Sequence, residues 1–143
     1  MNNAPTNARV LLIEDELLVA GMLRGMISNL GYAVAGTAAD LHEATKILDG
    51  ETIDAVVLDI NLNGKMSYPI ADELAARGIP FIFATGYEQH SLPAAYEGCP
   101  LLKKPFRRSA LGGALADLLK QDRERPDRPS AAEHDQLRAV RAI

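Results

Sequence analysis

The sequence predicts a doubly wound α/β fold built on a five-stranded parallel sheet. Its 143 residues contain five short strand-like runs separated by helical patterns. The first, third and fourth runs are continuously apolar rather than alternating, which is typical of strands that helices cover on both faces. The five runs are residues 9–13, 32–36, 54–58, 80–84 and 99–102.

The connections between these runs predict how the strands are ordered. Five β/α repeats with right-handed crossovers give the flavodoxin-like (βα)5 arrangement, with strand order 2-1-3-4-5. We expect residues 1–121 to form one domain. Residues 122–143 carry balanced charges and two prolines, which predict a linker, and Ser130 with Glu133 matches a capping box for a short helix at its end.

The first helix, expected from Asp15 to Leu30, has an unusually wide apolar arc. Its apolar side chains span about 200°, twice the stripe that a core-facing helix needs. Two interpretations stay open: the helix is deeply packed, or one flank is exposed as a docking surface for another helix. The arc consists of Leu18, Val19, Ala20, Met22, Leu23, Met26, Ile27 and Leu30.

Capping signals predict where the second and third helices begin. Asp40 is expected to cap the second helix, with Glu43 three residues later. Ser67 is expected to cap the third helix, with Pro69 in its first turn, where a missing amide proton costs nothing. Each of these helices is followed by a glycine, which favours a short crossover.

Charge and composition exclude several classes of partner. The net charge is −4, and it resides in residues 1–121, so the basic face that nucleic-acid binding requires is absent from the sequence. We also expect no membrane segment, because no long uncharged apolar stretch occurs. The single Cys99 indicates a reducing compartment. A cytoplasmic protein is therefore expected.

Polar residues follow the strands at the points where these end. Glu14 and Asp15 follow the first strand, Asp59 ends the third, Thr85 ends the fourth and Lys104 follows the fifth. The carboxyl ends of parallel strands share one edge of the sheet, which is where such folds bind ligands. Three carboxylates within about 5 Å would repel one another by a few kcal/mol, so a cation is expected, and oxygen ligands favour Mg²⁺.

This set of residues resembles the receiver domain of bacterial two-component response regulators over roughly residues 8–120. The resemblance implies that Asp59 accepts a phosphoryl group from a histidine kinase, a known use of aspartate in covalent chemistry. It implies a magnesium site in which Asp15 and Asp59 give carboxylates and Asn61 its backbone carbonyl. Glu14 would act mainly through bound water.

Two further motifs extend the resemblance. Lys104 begins the Lys-Pro-Phe hallmark of the family, which implies contact with a phosphoryl oxygen and a cis bond to Pro105. Residues 83–87 read Phe-Ala-Thr-Gly-Tyr and resemble the FATGUY receivers. In that subgroup the hydroxyl of Thr85 and the backbone amide of Gly86 would hold the phosphoryl group.

One position departs from the common family pattern. Many receivers have a phenylalanine or tyrosine three residues before the lysine, and this chain has Leu101. Tyr87 is the candidate replacement for that switch aromatic. We expect the conformational switch in residues 86–98, because glycine and proline interrupt what is normally the fourth helix.

The expected function is that of a stand-alone, single-domain response regulator rather than an enzyme. It would assist its own phosphorylation and dephosphorylation. Its expected partners are a histidine kinase, of the HWE or a related class, or a phosphotransfer protein, together with a downstream protein. One alternative is a degenerate receiver that works as a phosphorylation-independent interaction module. Another is an aspartyl-phosphate hydrolase, but that class needs an acid two positions after its nucleophile, where this chain has Asn61.

Overall fold

The computed structural model describes residues 7–86 and 92–123, with side chains as far as Lys120. Tyr87 and most of the expected linker lie outside these residues. The strands are β1 Arg9–Ile13, β2 Ala33–Ala38, β3 Ala55–Asp59, β4 Asn61–Leu62, β5 Lys65–Met66, β6 Phe81–Thr85 and β7 Leu101–Lys103. The helices are α1 Leu17–Asn29, α2 Leu41–Gly50, α3 Tyr68–Ala76 and α4 Arg108–Arg123, and a 3-10 turn spans Ala94–Tyr96.

Five of the strands form one parallel sheet in the order β2-β1-β3-β6-β7. Numbered among themselves, these five strands follow the order 2-1-3-4-5, so the predicted doubly wound topology is confirmed. The strands β4 and β5 form a separate antiparallel hairpin directly after β3. The sheet therefore brings the ends of β1, β3, β6 and β7 to a common edge.

Helices cover the sheet on both faces. On β1, Leu11 and Ile13 belong to the core beneath α2 and α3, whereas Val10 and Leu12 belong to the core beneath α1 and α4. Since side chains alternate between the faces of a strand, a strand between two cores must be apolar at every position. This explains the continuous apolar runs. Within the described residues, no helix is both long and apolar enough to cross a bilayer.

Helix α1 packs against the sheet along only part of its apolar arc. Ala20, Leu23 and Ile27 are buried. Leu17 and Leu18 are 89% and 91% exposed, so the first turn presents apolar side chains to solvent. The helix begins at Leu17, two residues later than expected. One flank of the helix is therefore exposed, and its use as a docking surface stays a prediction.

The two capping predictions had different outcomes. The carboxylate of Asp40 accepts a hydrogen bond from the amide of Glu43 at 2.8 Å, as expected. Ser67 occupies the cap position of α3, but its hydroxyl makes no capping bond, so that prediction was wrong. Its amide instead donates to the carbonyl of Ile60 at 2.7 Å. Ser67 consequently has φ −87° and ψ 12°, outside the extended conformation that capping side chains require.

One local feature, the hairpin after β3, was not expected from the sequence, whereas a second agrees with the expected interruption of the fourth helix. The hairpin turns at Asn63 and Gly64, which both have positive φ, as the Asn-Gly pair in a two-residue hairpin usually does. The described part of the β6–β7 connection contains the 3-10 turn instead of a regular helix. Tyr96 in that turn stacks on Tyr68 at 5.9 Å between ring centroids and is hydrogen-bonded to Asp72.

The end of α4 bears on the expected domain boundary. The helix continues through Arg123, so residues 122 and 123, assigned to the linker from sequence, are helical. The expected short helix near the end of the chain lies outside the described residues. The described part of α4 therefore extends past the expected boundary after residue 121.

Candidate functional site

The pairing of the strands fixes where the predicted site residues meet. Ile13 pairs with Leu58, which places Glu14 beside Asp59 at the ends of β1 and β3. Thr85 pairs with Lys103 at the ends of β6 and β7. One edge of the sheet therefore carries residues contributed by four strand ends.

Three carboxylates crowd together at this edge. One oxygen of each of Glu14, Asp15 and Asp59 lies within 4.8 Å of the other two. Glu14 is 3% exposed and Asp59 is 9% exposed, so water screens their charges poorly. At this separation two unit charges repel by about 3 kcal/mol if the effective dielectric constant is near 20. Such a set of close oxygen donors fits a hard divalent cation.

Lys104 supplies positive charge to the same cluster. Its ammonium forms an ion pair with Glu14 and lies 3.1 Å from Oδ2 of Asp59. Burial alone would lower the pKa of Lys104, but hydrogen bonds and charge from Glu14 and Asp59 outweigh it and raise the pKa above the usual value for lysine. One ammonium cannot neutralise three carboxylates, so the cluster keeps an affinity for further positive charge.

The hairpin after β3 orients Asp59. The amide of Asn61 donates to Oδ1 of Asp59 at 3.2 Å. The side chain of Asn61 in turn accepts a hydrogen bond from the amide of Gly64 at 2.8 Å, which ties it to the hairpin turn. Asn61, expected to provide a backbone carbonyl to the metal, is thus held directly beside Asp59.

Thr85 and Gly86 lie on the other side of Lys104. Thr85 is buried at the end of β6, and its carbonyl accepts a hydrogen bond from the amide of Lys104 at 2.7 Å. A Cβ atom added to Gly86 would come no nearer than 4.0 Å to the side chain of Lys104. The peptide bond between Lys104 and Pro105 is cis, as the resemblance implied.

The predicted site residues thus fall into one neighbourhood, with one exception. Glu14, Asp15, Asp59 and Lys104 are joined by the contacts described above, and Asn61, Thr85 and Gly86 adjoin them. Tyr87 lies outside the described residues, and its role as a switch aromatic stays a prediction. Leu101 begins β7 at the edge of the sheet with a partly exposed side chain.

Sequence reasoning overlooked the β4–β5 hairpin, although this segment holds Asn61 against Asp59. The signal was present, because Asn63-Gly64 is a strong hairpin dipeptide. Its flanking strands have only two residues each, too few for an alternating pattern to be recognised.

The chain matches the family model described as the response regulator receiver domain over residues 10–116. Among curated proteins it is 29% identical to the transcriptional regulatory protein PdtaR of Mycobacterium tuberculosis strain H37Rv, over 85% of this chain and 62% of PdtaR. It is 32% identical to the phyllosphere-induced regulator PhyR of Methylorubrum extorquens, over 77% of this chain and 43% of PhyR. The chain thus spans about half the length of these relatives.

Solved structures with the same fold include SdrG from Sphingomonas melonis Fr1. Its solution structure shares 38% identity and a TM-score of 0.71, covering 81% of this chain and 99% of SdrG. A BeF3-activated conformation of SdrG gives 40% identity and a TM-score of 0.70, covering 82% of this chain and 98% of that one. On its fold and on the family match, the chain belongs to the response regulator receiver domains of two-component signalling systems.

Proposed function

We propose that Asp59 accepts a phosphoryl group from a phosphohistidine of a histidine kinase or a phosphotransfer protein. A carboxylate oxygen of Asp59 attacks phosphorus, a P–O bond forms, the P–N bond breaks, and the imidazole leaves. The observation that carries this proposal is the cluster in which one oxygen each of Glu14, Asp15 and Asp59 lie within 4.8 Å of one another, Glu14 and Asp59 are buried, and Lys104 contacts these two.

Receiver domains typically bind Mg²⁺ at an acidic site, and the oxygen donors of this chain fit that ion. Asp15 and Asp59 would hold it with their carboxylates, Asn61 with its backbone carbonyl, and Glu14 through water. The bound ion supplies positive charge that screens the acids and the phosphoryl oxygens from each other.

The remaining site residues would act on the phosphoryl group. Lys104, whose raised pKa keeps it charged at neutral pH, would exchange its contact with Asp59 for one with a phosphoryl oxygen. Thr85 and the amide of Gly86 would hold a second oxygen. Because the carbonyl of Thr85 is bonded to the amide of Lys104, these groups share one backbone frame, so their positions need little rearrangement.

Two alternatives are less well supported. A hydrolase of the haloacid dehalogenase type needs an acid two residues after its nucleophile, but this position is Asn61, whose side chain is not an acid. The backbone amide of Asn61 donates a hydrogen bond to Asp59. A degenerate receiver has no need for three acids so close together, two of them buried, because their repulsion lowers the stability of the fold.

Asp59→Asn tests the proposal most directly. We expect the variant to take no phosphate from acetyl phosphate and Mg²⁺, while the parent gains one hydroxylamine-sensitive phosphoryl group by intact-mass spectrometry. The free energy of unfolding should change by less than about 1 kcal/mol, because a repulsive charge is removed together with one contact to Lys104. A variant phosphorylated like its parent would mean that the nucleophile is misassigned.

The downstream signal of this domain would be carried by contact with proteins. We propose a cytoplasmic response regulator in which the receiver, expected over residues 1–121, extends along α4 at least to Arg123, with a linker after it. Its kinase would be of the HWE or a related class, and its output a protein partner, without binding of nucleic acid or membrane. The likeness to SdrG over 99% of that chain supports a regulator that acts as a receiver alone.

The exposed first turn of α1 is the proposed docking surface for the kinase or phosphotransfer helix. Leu17 and Leu18 are exposed there, close to Asp15 and hence to the acidic cluster, and Met22 is exposed on the next turn. Burying them against a partner helix would remove apolar area from water at about 25 cal/mol per Å². A helix docked at this turn would lie close to Asp59.

Leu18→Asp separates docking from chemistry. We expect transfer from a phosphorylated histidine kinase to fall by about tenfold or more, since a buried charge opposes docking. Phosphorylation by acetyl phosphate, which needs no docking helix, should be unchanged. Arg24→Asp, at an exposed position further along α1, is the control. Equal losses with both phosphate donors would contradict the docking role.

A further inference from the structure

A second recess in the molecule lies apart from the acidic cluster. It is a cavity of about 660 Å³ between the first turns of α2 and α3 and the β4–β5 hairpin, within the size range of small-molecule sites. Its lining includes the buried side chains of Leu62 and Ile70, whereas Leu41 and Met66 are exposed beside it. An occupant would therefore meet an apolar lining.

The lining of this cavity includes one cation that an acid could pair. Lys65 lines it from the hairpin and has no ion-pair partner among the described residues. Asp40 also lines the cavity and keeps its negative charge, but its carboxylate already accepts the amide of Glu43 at the start of α2, and the side chain of Glu43 accepts the amide of Ala39 at 2.6 Å. The ammonium of Lys65 is thus the charged group that a ligand could pair.

A wall residue of the cavity also lacks a hydrogen-bond partner. Ser67 lines the cavity, and its hydroxyl is buried without any partner in the protein. Leaving a buried hydroxyl unsatisfied costs about 1–3 kcal/mol. Because this oxygen has almost no exposed surface, a polar atom of a ligand would lower that cost only where a small shift of the wall uncovers it. The cavity therefore combines an apolar body with two polar features, which is the usual composition of a binding site.

The cavity is joined to Asp59 through the hairpin. Lys65 and Met66 pair with Leu62 and Asn61 across it. The amide of Asn61 bonds the carboxylate of Asp59 at 3.2 Å. A ligand in the cavity that restrains the hairpin would therefore affect the orientation of Asp59. Any resulting change in affinity is reciprocal between the two sites.

We propose that this cavity binds a small amphipathic carboxylate and that its occupancy is sensed at Asp59. The acid group pairs with Lys65, and the apolar chain lies against Leu62 and Ile70. This site goes beyond the phosphoacceptor function and does not depend on it, because binding here uses none of the residues of the acidic cluster.

Octanoate is a suitable probe, titrated into the ¹⁵N-labelled protein and followed by amide chemical shifts. We expect saturable shifts centred on residues 40–45 and 61–70 and extending to the amides of Asp59 and Ile60. Asp59→Asn keeps an oxygen that can accept the amide of Asn61, so it should bind octanoate within about twofold of the parent although it takes no phosphate, and failure of phosphotransfer and failure of this site are distinguishable. Shifts that increase without saturation, or that centre on the exposed turn of α1, would overturn the proposal.

Variants test the two parts of the ligand separately. Lys65→Met should weaken octanoate binding about fivefold, the effect of one exposed charge pair, and leave octanol binding unchanged. Lys46→Met, an exposed lysine on α2 that does not line the cavity, is the matched control. Thr45→Trp, at a partly exposed lining position, should block both ligands by filling the space. Equal effects of the two lysine variants would exclude the proposed pairing.

Discussion

The two edges of the sheet carry similar charged groups in different environments. At the amino edge, Arg9 pairs with Glu51, and its amide donates to Asp54 at 2.7 Å. At the carboxyl edge, Lys104 pairs with Glu14 and Asp59. The side chains of the Arg9 pair are 37% and 46% exposed, whereas the side chain of Glu14 is 1% exposed.

This difference shows that burial, more than the number of charges, distinguishes the functional edge. An exposed ion pair contributes at most about 1 kcal/mol, because water screens it. A buried acid whose partner is removed costs several times as much, because it keeps its charge without compensation. The ion pair at the amino edge therefore contributes a little to stability, whereas the carboxyl edge has an excess of negative charge that a bound cation can neutralise.

The largest expected contrast between the edges is in stability. Lys104→Met should lower the free energy of unfolding by about 3 kcal/mol, since it leaves Glu14 and Asp59 buried near Asp15 without a cation. Arg9→Met, the control at the amino edge, should cost less than about 1 kcal/mol. Urea unfolding in metal-free buffer measures both values. Equal losses would show that the two edges do not differ in the way described.

A smaller effect is expected from Mg²⁺. An ion that binds the folded protein alone stabilises it by about 2.7 kcal/mol at one hundred times its Kd. We expect Mg²⁺ to raise the melting temperature of the parent, and to raise that of Lys104→Met by more, because the variant has lost its own cation.

The control for the metal effect is Asp15→Asn, which removes a carboxylate but retains Lys104. Its melting temperature should respond little to Mg²⁺, and in metal-free buffer it should be no less stable than the parent because one repulsive charge is gone. Scanning calorimetry with and without chelator measures this. A variant that responds to Mg²⁺ like the parent would place the ion elsewhere.

The sequence was sufficient to predict the sheet and the meeting of Glu14, Asp59 and Lys104. Strands between two helical layers are apolar throughout, and parallel strands align their carboxyl ends. Both features can therefore be recognised from short stretches of sequence. The prediction that Ser67 caps α3 failed because residue type gives only a preference. The bond from its amide to Ile60 sets a backbone conformation that a local pattern does not reveal.

The cavity beside the hairpin was inaccessible to sequence reasoning for a related reason. Its lining comes from α2, the hairpin and the start of α3, three segments whose relative positions depend on packing. The start of α1 was predicted two residues too early. Glu14 and Asp15 belong to the end of the strand, and the carboxylate of Glu14 accepts the amide of Glu16 at 3.3 Å, so the helix begins only at Leu17.

Strand β3 has all five residues buried and is paired with a neighbour on each side. Backbone amides in such a strand exchange with solvent mainly through global unfolding, so its position is the most persistent in the fold. Asp59 ends this strand, and a phosphoryl group attached to it would hardly displace the strand. A displacement that a partner could read would then have to arise in segments that are less constrained than β3.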